Sequence, residues 1–169
     1  MYRMVLRHDV GGPAPGFTLK DGAGREVALD SFRPHVVVLV FFAGGFDRDA
    51  LRSLKAFAES YPRIRDSDAV LVAVTPELPG KVQTLVEGLG LPFPVLSDPE
   101  MRVVKEYDVY NPVMNWTWPA AFVIDRDGVI QYAFRGASLP NTPPVEYIGM
   151  KLARMKEGQA PEAAGKART

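Results

Sequence analysis

The feature that most constrains the fold is an uninterrupted apolar run, VVVLVFF, at Val36–Phe42, in which four residues are β-branched. A strand with one solvent-exposed face alternates apolar and polar residues, whereas a continuous apolar run indicates a strand that is buried on both faces. Such strands lie at the centre of sheets that carry helices on both sides. The run therefore predicts an α/β protein with this segment as a central strand.

A helix is predicted directly after this strand. Apolar residues recur at helical spacing over Leu51–Tyr61, and Gly44-Gly45 would permit a tight strand-to-helix turn. Either Asp47 or Asp49 is suitable as the N-cap, and Pro62 is expected to end the helix.

The rest of the chain continues the alternation of strands and helices. Alternation predicts parallel pairing with right-handed crossovers, and a late hairpin predicts antiparallel strands at one edge. We therefore expect a mixed central sheet with helices on both faces and an N-terminal β-hairpin. The further predicted elements are a hairpin at Phe17–Leu19 and Glu26–Leu29, strand Ala69–Val74, helix Val82–Leu89 closed by Gly90, an extended stretch at Phe93–Leu96, a helix from Asp98 to Tyr107, a hairpin of Ala120–Ile124 with Val129–Phe134, and a helix over Val145–Met155.

The length of the chain and its balance of charged residues limit the number of domains and the kinds of partner to expect. The 169 residues suit one domain, placed at residues 1–156, and the small, polar stretch 157–169 is expected to be a disordered tail. Twenty basic residues balance twenty acidic ones, which gives no indication of a nucleic-acid partner. Because the first ten residues lack an apolar leader and no apolar run approaches about 20 residues, we expect a cytoplasmic protein without a membrane segment.

Cysteine is absent from the sequence. Its absence excludes disulfides, thiolate metal sites and cysteine nucleophiles within this chain. His8 and His35 lie far apart with no ligand spacing around either, so no metal site is expected. We expect no cofactor.

Four phrases together carry a family resemblance: GGPAPGFTLKDGAGREVAL, VVVLVFFAGGF, LPFPVLSDPEMRVVKEYDVY and PAAFVIDRDGVIQYAFRG. With the order of elements, they resemble the peroxiredoxin-like form of the thioredoxin fold, the alkyl hydroperoxide reductase / thiol-specific antioxidant family. The phrases extend over roughly residues 10 to 155. The resemblance implies a thioredoxin-like fold and, in ordinary members, thiol-dependent reduction of peroxides.

The catalytic set that the resemblance implies is missing. Counted from the FF pair, the family's proline, its threonine or serine, and its peroxidatic cysteine fall on Ala43, Asp47 and Ala50. The family's arginine, three residues ahead of the phenylalanine of FVID, falls on Pro119.

The related thiol–disulfide oxidoreductases give a second frame for the same region. Their Cys-x-x-Cys pair falls on Phe46 and Asp49. They also carry a cis-proline at the place of Pro119, so the resemblance predicts a cis Trp118–Pro119 bond.

The missing sulfur leads to three hypotheses. A thiolate at a helix N-terminus can hold a reversible oxidised state, whereas the carboxylates present here have no such redox chemistry. The leading hypothesis is a redox-inactive redoxin that binds a protein or a small ligand at the former active-site cleft. One alternative is the family's antioxidant thiol peroxidase activity, if the natural gene encodes a cysteine. Another is an enzyme that uses Asp47 or Asp49 as base or ligand; otherwise one of them caps the helix and the other is solvated.

An aromatic cluster within YNPVMNWTWP flanks Pro119. Tyr110, Trp116 and Trp118 could form a partner surface, because aromatic residues dominate interface hot spots, or they could pack in the core. The family resemblance also makes a homodimer plausible.

Overall fold

The computed structural model describes residues 8–158, which alternate strands and helices as the sequence predicts. A short 3-10 turn, Leu29–Phe32, lies between the second and third strands. The elements in chain order are β1 (Thr18–Asp21), β2 (Glu26–Ala28), β3 (Val36–Phe41), α1 (Arg48–Asp66), β4 (Ala69–Thr75), α2 (Pro79–Leu89), β5 (Val95–Ser97), α3 (Arg102–Glu106), β6 (Tyr110–Asn111), β7 (Trp116–Thr117), β8 (Ala120–Ile124), β9 (Ile130–Arg135) and α4 (Val145–Glu157).

Within residues 8–158, seven strands form one mixed sheet in the order β2-β1-β5-β4-β3-β8-β9. β4 is parallel to both β3 and β5, whereas β8 and β9 extend the sheet antiparallel beyond β3. The N-terminal hairpin β1–β2 forms as predicted and pairs antiparallel with β5. All six residues of β3 are buried, so the continuous apolar run does mark an internal strand. The predicted thioredoxin-like α/β fold is confirmed.

Two apolar layers cover the sheet. Val38 and Val40 of β3 face the layer that includes Leu54 and Phe57 of α1, together with α2 and α4. The alternate residues of β3 face the other layer, where Tyr107 is fully buried beside α3. Helices therefore lie on both faces, and α1 is held by its apolar side directly against the central strands.

The helix α1 begins where the sequence predicts and ends later than expected. Asp47 is its N-cap. The expectation that Pro62 ends the helix is wrong, because α1 continues through Pro62 to Asp66. A proline inside a helix removes one backbone hydrogen bond and costs about 3 kcal/mol. Pro62 itself is exposed, and Ile64 beyond it is buried in the core, so packing after the proline offsets that cost.

The predicted helix start at Asp98 is also wrong. The chain first makes a turn in which the Met101 N–H donates to the Asp98 carbonyl oxygen at 2.9 Å, and α3 begins at Arg102. The Asp98 carboxylate instead accepts a hydrogen bond from the N–H of Val104 at 2.9 Å. A five-residue helix is the result.

The Trp118–Pro119 bond is trans, so the predicted cis bond is wrong; within residues 8–158 the cis bond is Arg33–Pro34. Here the chain connects β7 to β8 in two residues. Its Trp118 N–H donates to the Val109 carbonyl oxygen at 2.8 Å, and the Pro119 carbonyl oxygen accepts from Gly136 at 2.7 Å. These two bonds hold the residues on both sides of the trans bond.

At the other end, α4 reaches Glu157, the first residue of the predicted tail. The remainder of that predicted tail, residues 159–169, lies outside the described residues. Among the helices described, none combines the length and apolar character that a membrane crossing requires.

Candidate functional site

The site is built where β3 ends and α1 begins. Ala43, just after β3, is buried, and its carbonyl oxygen accepts two hydrogen bonds. One comes from the indole Nε1 of Trp116 at 2.7 Å, and the other from the hydroxyl of Thr75 at 3.2 Å. The segment that follows the central strand is therefore hydrogen-bonded to Thr75 of β4 and to Trp116 of β7.

The glycine pair that follows makes the predicted tight turn and meets an acidic side chain. Gly44 has φ +145°, and a Cβ at this position would lie 2.5 Å from Oε1 of Glu77. The N–H of Gly45 donates to the same Glu77 oxygen at 2.7 Å. Glu77 was not predicted from the sequence, because it lies 32 residues away from Gly45 and belongs to no motif.

The two aspartates of the junction both have partners. Asp47 Oδ1 accepts a 3.2 Å hydrogen bond from the N–H of Asp49 and caps α1. The carboxylate of Asp49 contacts Arg52 Nη2 at 2.6 Å. In the part of the chain that the structure describes, no group of three or more histidine, aspartate or glutamate side chains is arranged to hold a metal ion.

Four of the predicted site residues line one small cavity. Ala43, Asp47, Ala50 and Pro119 come together there, with Ala50 only 4% exposed. The cavity has a volume of about 10 Å³. That is close to the minimum for one water molecule, roughly 10–15 Å³ on the same measure. Leu139, Thr142 and Pro143, from the segment between β9 and α4, also line it.

Phe46 does not line this cavity, and it is 63% exposed. Its ring packs against Trp116, with centroids 6.2 Å apart and planes at 60°. The loop between β6 and β7 exposes Val113 (89%) and Met114 (55%). Its shape is fixed by the side chain of Asn111, which accepts hydrogen bonds from both of their N–H groups. We call Phe46, Val113, Met114 and Trp116 the rim surface.

The other two predicted aromatic residues are half-buried nearby. The hydroxyl of Tyr110 donates to Asn115 Oδ1 at 2.6 Å, and Lys105 Nζ lies 4.8 Å from the centre of its ring. Trp118 lies between β7 and β8 and is half-buried. Of the three aromatic residues predicted as a partner surface, Trp116 is the one that contacts Phe46.

Comparison with known proteins gives the family of this chain. The sequence matches the AhpC/TSA family over residues 10–133. The chain belongs to the AhpC/TSA family. Among its relatives is a chloroplastic peroxiredoxin Q of Oryza sativa subsp. japonica, which is 30% identical over 144 residues. That alignment takes in 84% of this chain, and the chain spans 64% of the length of the rice protein.

Solved structures of similar fold include one protein named as a peroxidoxin and one named as a 2-Cys peroxiredoxin. The crystal structure of peroxidoxin BcpB from Mycobacterium tuberculosis superposes with a TM-score of 0.78 at 18% identity, over 88% of this chain and 98% of that one. A reduced 2-Cys peroxiredoxin of Plasmodium vivax gives 0.77 at 20% identity, over 95% and 91%. At this identity the likeness supports the fold, and the sequence match supports the family.

Proposed function

We propose that this chain is a redox-inactive member of the AhpC/TSA family that binds a protein partner at the end of the sheet where α1 begins. One observation carries the proposal: alanine occupies position 50, and the sequence contains no cysteine. Peroxide reduction by a thiol requires a sulfur that is oxidised to sulfenic acid and then restored. Carboxylates at the same helix end, Asp47 and Asp49, offer no equivalent cycle.

The rim surface supports a protein as the partner. Phe46, Val113 and Met114 are each more than half exposed, although all three are apolar. Exposed apolar and aromatic clusters mark interaction sites more often than scattered apolar residues do. Two features also hold this surface in a defined shape before binding: the Trp116 bond to Ala43 and the Asn111 bonds to the loop.

A small ligand in the former cleft is the weaker form of the proposal. The cavity of about 10 Å³ has no room for a substrate or a metabolite. Occupation would require the residues that line the cavity to move apart. Chemistry based on Asp47 or Asp49 is likewise less favoured, because one carboxylate caps α1 and the other pairs with Arg52.

A peroxidase assay tests the redox part. Purified protein, treated with a chelator, is mixed with hydrogen peroxide or an organic hydroperoxide and a dithiol donor. We expect hydroperoxide consumption equal to that of the donor alone. Consumption that rises with protein concentration and survives chelation would overturn the proposal. Sequencing the natural gene at codon 50 separates it from the thiol-peroxidase alternative.

A matched pair of double variants tests the binding part. Phe46→Ser/Val113→Ser removes apolar area from the rim surface. Tyr147→Ser/Met150→Ser removes it from α4, where both side chains are also exposed. In affinity capture from the source cell, we expect one protein to bind the unaltered chain and the α4 variant and to be lost with the rim variant. Equal binding by both variants would place the partner elsewhere.

Two further expectations stay predictions. The rice relative is named as chloroplastic, whereas we expect this chain in the cytoplasm, which fractionation would test. A homodimer is expected from the family, and light scattering on the purified protein would measure it.

A further inference from the structure

The chain carries sulfur only in methionine, because its sequence has six methionines and no cysteine. Among the methionines that the structure describes, Met114 and Met150 are 55% and 52% exposed, whereas Met101 is 8% exposed and Met155 is half-buried. An oxidant converts a methionine thioether to the sulfoxide, and methionine sulfoxide reductases reverse the change. Met114 and Met150 are therefore the described positions most open to reversible oxidation.

Of these two methionines, Met114 belongs to the rim surface. It lies in the β6–β7 loop beside Val113, which is 89% exposed. Two residues further on is Trp116, whose ring packs against Phe46. Met150 lies on α4 and is not part of the rim surface. Oxidation of Met114 would therefore place a polar group within an apolar surface, and oxidation of Met150 would leave that surface unchanged.

The backbone of the β6–β7 loop is held by hydrogen bonds that do not involve the methionine sulfur. Asn111 Oδ1 accepts from the N–H groups of Val113 at 3.0 Å and Met114 at 3.3 Å. At the other end of the loop, the hydroxyl of Tyr110 donates to Asn115 Oδ1 at 2.6 Å. Because these bonds remain when the sulfur is oxidised, the loop should keep its shape. Oxidation then changes the chemistry of the surface and not the fold.

We propose that Met114 is a site of reversible oxidation by hydroperoxides, and that its sulfoxide weakens binding of the protein partner at the rim surface. This inference rests on the proposed function. In the reaction, the thioether sulfur takes one oxygen atom from the hydroperoxide and is oxidised by two electrons. The O–O bond breaks, and the other oxygen atom leaves with the proton as an alcohol, or as water when the oxidant is hydrogen peroxide. Each methionine consumes one peroxide and then needs a sulfoxide reductase, so the step is not peroxidase turnover.

The loss of binding follows from the polarity of the product. A thioether is apolar and polarizable, whereas a sulfoxide is polar and chiral and disrupts interfaces that methionine helps to form. Burial of the sulfoxide oxygen beside Val113, without a hydrogen-bond donor from the partner, costs free energy when the complex forms. We expect the oxidised chain to bind about tenfold more weakly, which is the scale of an interface residue that loses its contacts.

Peptide mass spectrometry of the purified chain, after graded exposure to hydrogen peroxide, tests the chemical step. We expect sulfoxide to form at Met114 and Met150 at least about fivefold faster than at Met101, because the oxidant must reach the sulfur. A methionine sulfoxide reductase should restore the thioether, and the far-ultraviolet circular dichroism spectrum should not change. Oxidation of Met114 no faster than that of Met101 would overturn the proposal. So would a loss of folded structure that accompanies oxidation of Met114.

A competition within one sample tests the effect on binding. The partly oxidised chain is mixed with a limiting amount of the immobilised partner that depends on the rim surface, and the sulfoxide at each methionine is measured in the bound and unbound fractions. We expect Met114 sulfoxide to be depleted about tenfold from the bound fraction, in proportion to the ratio of affinities. Met150 sulfoxide, the internal control, should be evenly distributed.

The outcomes separate this inference from the proposed function. An even distribution of Met114 sulfoxide would overturn the inference and leave binding at the rim surface intact. Equal depletion of Met114 and Met150 sulfoxide would also overturn it, because the effect would then not be specific to the rim surface. If the unoxidised chain captures no partner that depends on the rim surface, the proposed function fails and this inference fails with it.

Discussion

The carboxylate of Glu77 accepts a 2.7 Å hydrogen bond from the backbone N–H of Gly45, and so joins the end of β4 to the turn before α1. Glu77 is itself held at both backbone groups. Its N–H donates to the Thr75 hydroxyl at 3.3 Å, and its carbonyl oxygen accepts from the hydroxyl of Ser97. The acid is thus a rigid support for the glycine turn.

Removal of this support should loosen the junction. We expect Glu77→Ala to lower the free energy of unfolding by about 1–2 kcal/mol, because a hydrogen bond to a charged acceptor is lost at a half-buried N–H. Urea denaturation measures it. Glu87→Ala is the control, since Glu87 is exposed and accepts a local bond from Gln83 within α2. Equal losses in the two variants would contradict a specific role for Glu77.

The sequence predicts the central part of this junction well, for a physical reason. A strand buried on both faces must be continuously apolar, and a helix N-terminus needs an acceptor for its free N–H groups. The apolar run satisfies the first rule and forms the buried strand Val36–Phe41. Of the two aspartates predicted as possible N-caps, Asp47 satisfies the second rule and caps α1. Gly90, predicted to close α2, likewise adopts the left-handed conformation expected there.

Features that no local sequence pattern marks were missed or wrongly predicted. Glu77 gains its role only when β4 lies beside β3, so no local pattern marks it. α1 continues past Pro62 because Ile64 packs in the core. The Asp98 carboxylate accepts a hydrogen bond from the Val104 N–H, whereas the sequence predicted that it would cap a helix beginning at Pro99. The β6–β7 ladder was not predicted, because strands of two residues have no periodicity to recognise.

The buried Asp98 should make stability depend on pH. Burial raises the pKa of this carboxyl above its ordinary value, although N–H groups of α3 donate to it and act in the opposite direction. A raised pKa in the folded state means that the unfolded chain releases this proton first. The contribution of Asp98 to stability is therefore most favourable in acid, and it falls as pH rises from the unfolded to the folded pKa.

The Asp98→Asn variant tests this sign. Asparagine keeps an acceptor for the Val104 N–H but cannot ionise, so its stability relative to the unaltered protein should be higher at pH 7 than at pH 3. Urea unfolding at both pH values measures the difference. A difference that is constant with pH, or larger in acid, would contradict the inferred shift.

Arg135, in β9, should hold the chain at His8 against the sheet. Its guanidinium donates to the carbonyl oxygens of His8 at 2.8 Å and Tyr107 at 3.1 Å, and lies 4.9 Å from the centre of the Phe122 ring. We expect Arg135→Lys to cost about 1.5–3 kcal/mol, because a lysine cannot reproduce the fork of donors.

Hydrogen exchange locates that effect. The amides of Gly11 and Ala14, which bond to the β8–β9 region, should exchange faster in Arg135→Lys. Arg126→Lys is the control, because Arg126 makes an exposed ion pair with Asp68 at 3.6 Å and should cost less than about 1 kcal/mol. Unchanged protection of Gly11 in Arg135→Lys would argue against the anchor.

Restoring sulfur at position 50 should not restore peroxidase activity. Ala50→Cys would place a thiol beside a cavity of about 10 Å³, which Leu139, Thr142 and Pro143 also line. The α1 N-terminus would favour the thiolate, but burial would oppose it. Pro119 also stands where the family resemblance expects an arginine, so no guanidinium from that position would assist the anion.

The measurement compares the reactivity of the thiol in Ala50→Cys with that of an exposed thiol at the same strand-to-helix junction. Phe46→Cys is the matched control, because Phe46 is 63% exposed and Ala50 only 4%. We expect the thiol of Ala50→Cys to react with a colorimetric disulfide at least about tenfold more slowly than that of Phe46→Cys, since access and thiolate character both control the rate. Hydroperoxide consumption by Ala50→Cys should match that of the unaltered chain. Rapid turnover would mean that the cavity opens to substrate and that only the sulfur atom is missing.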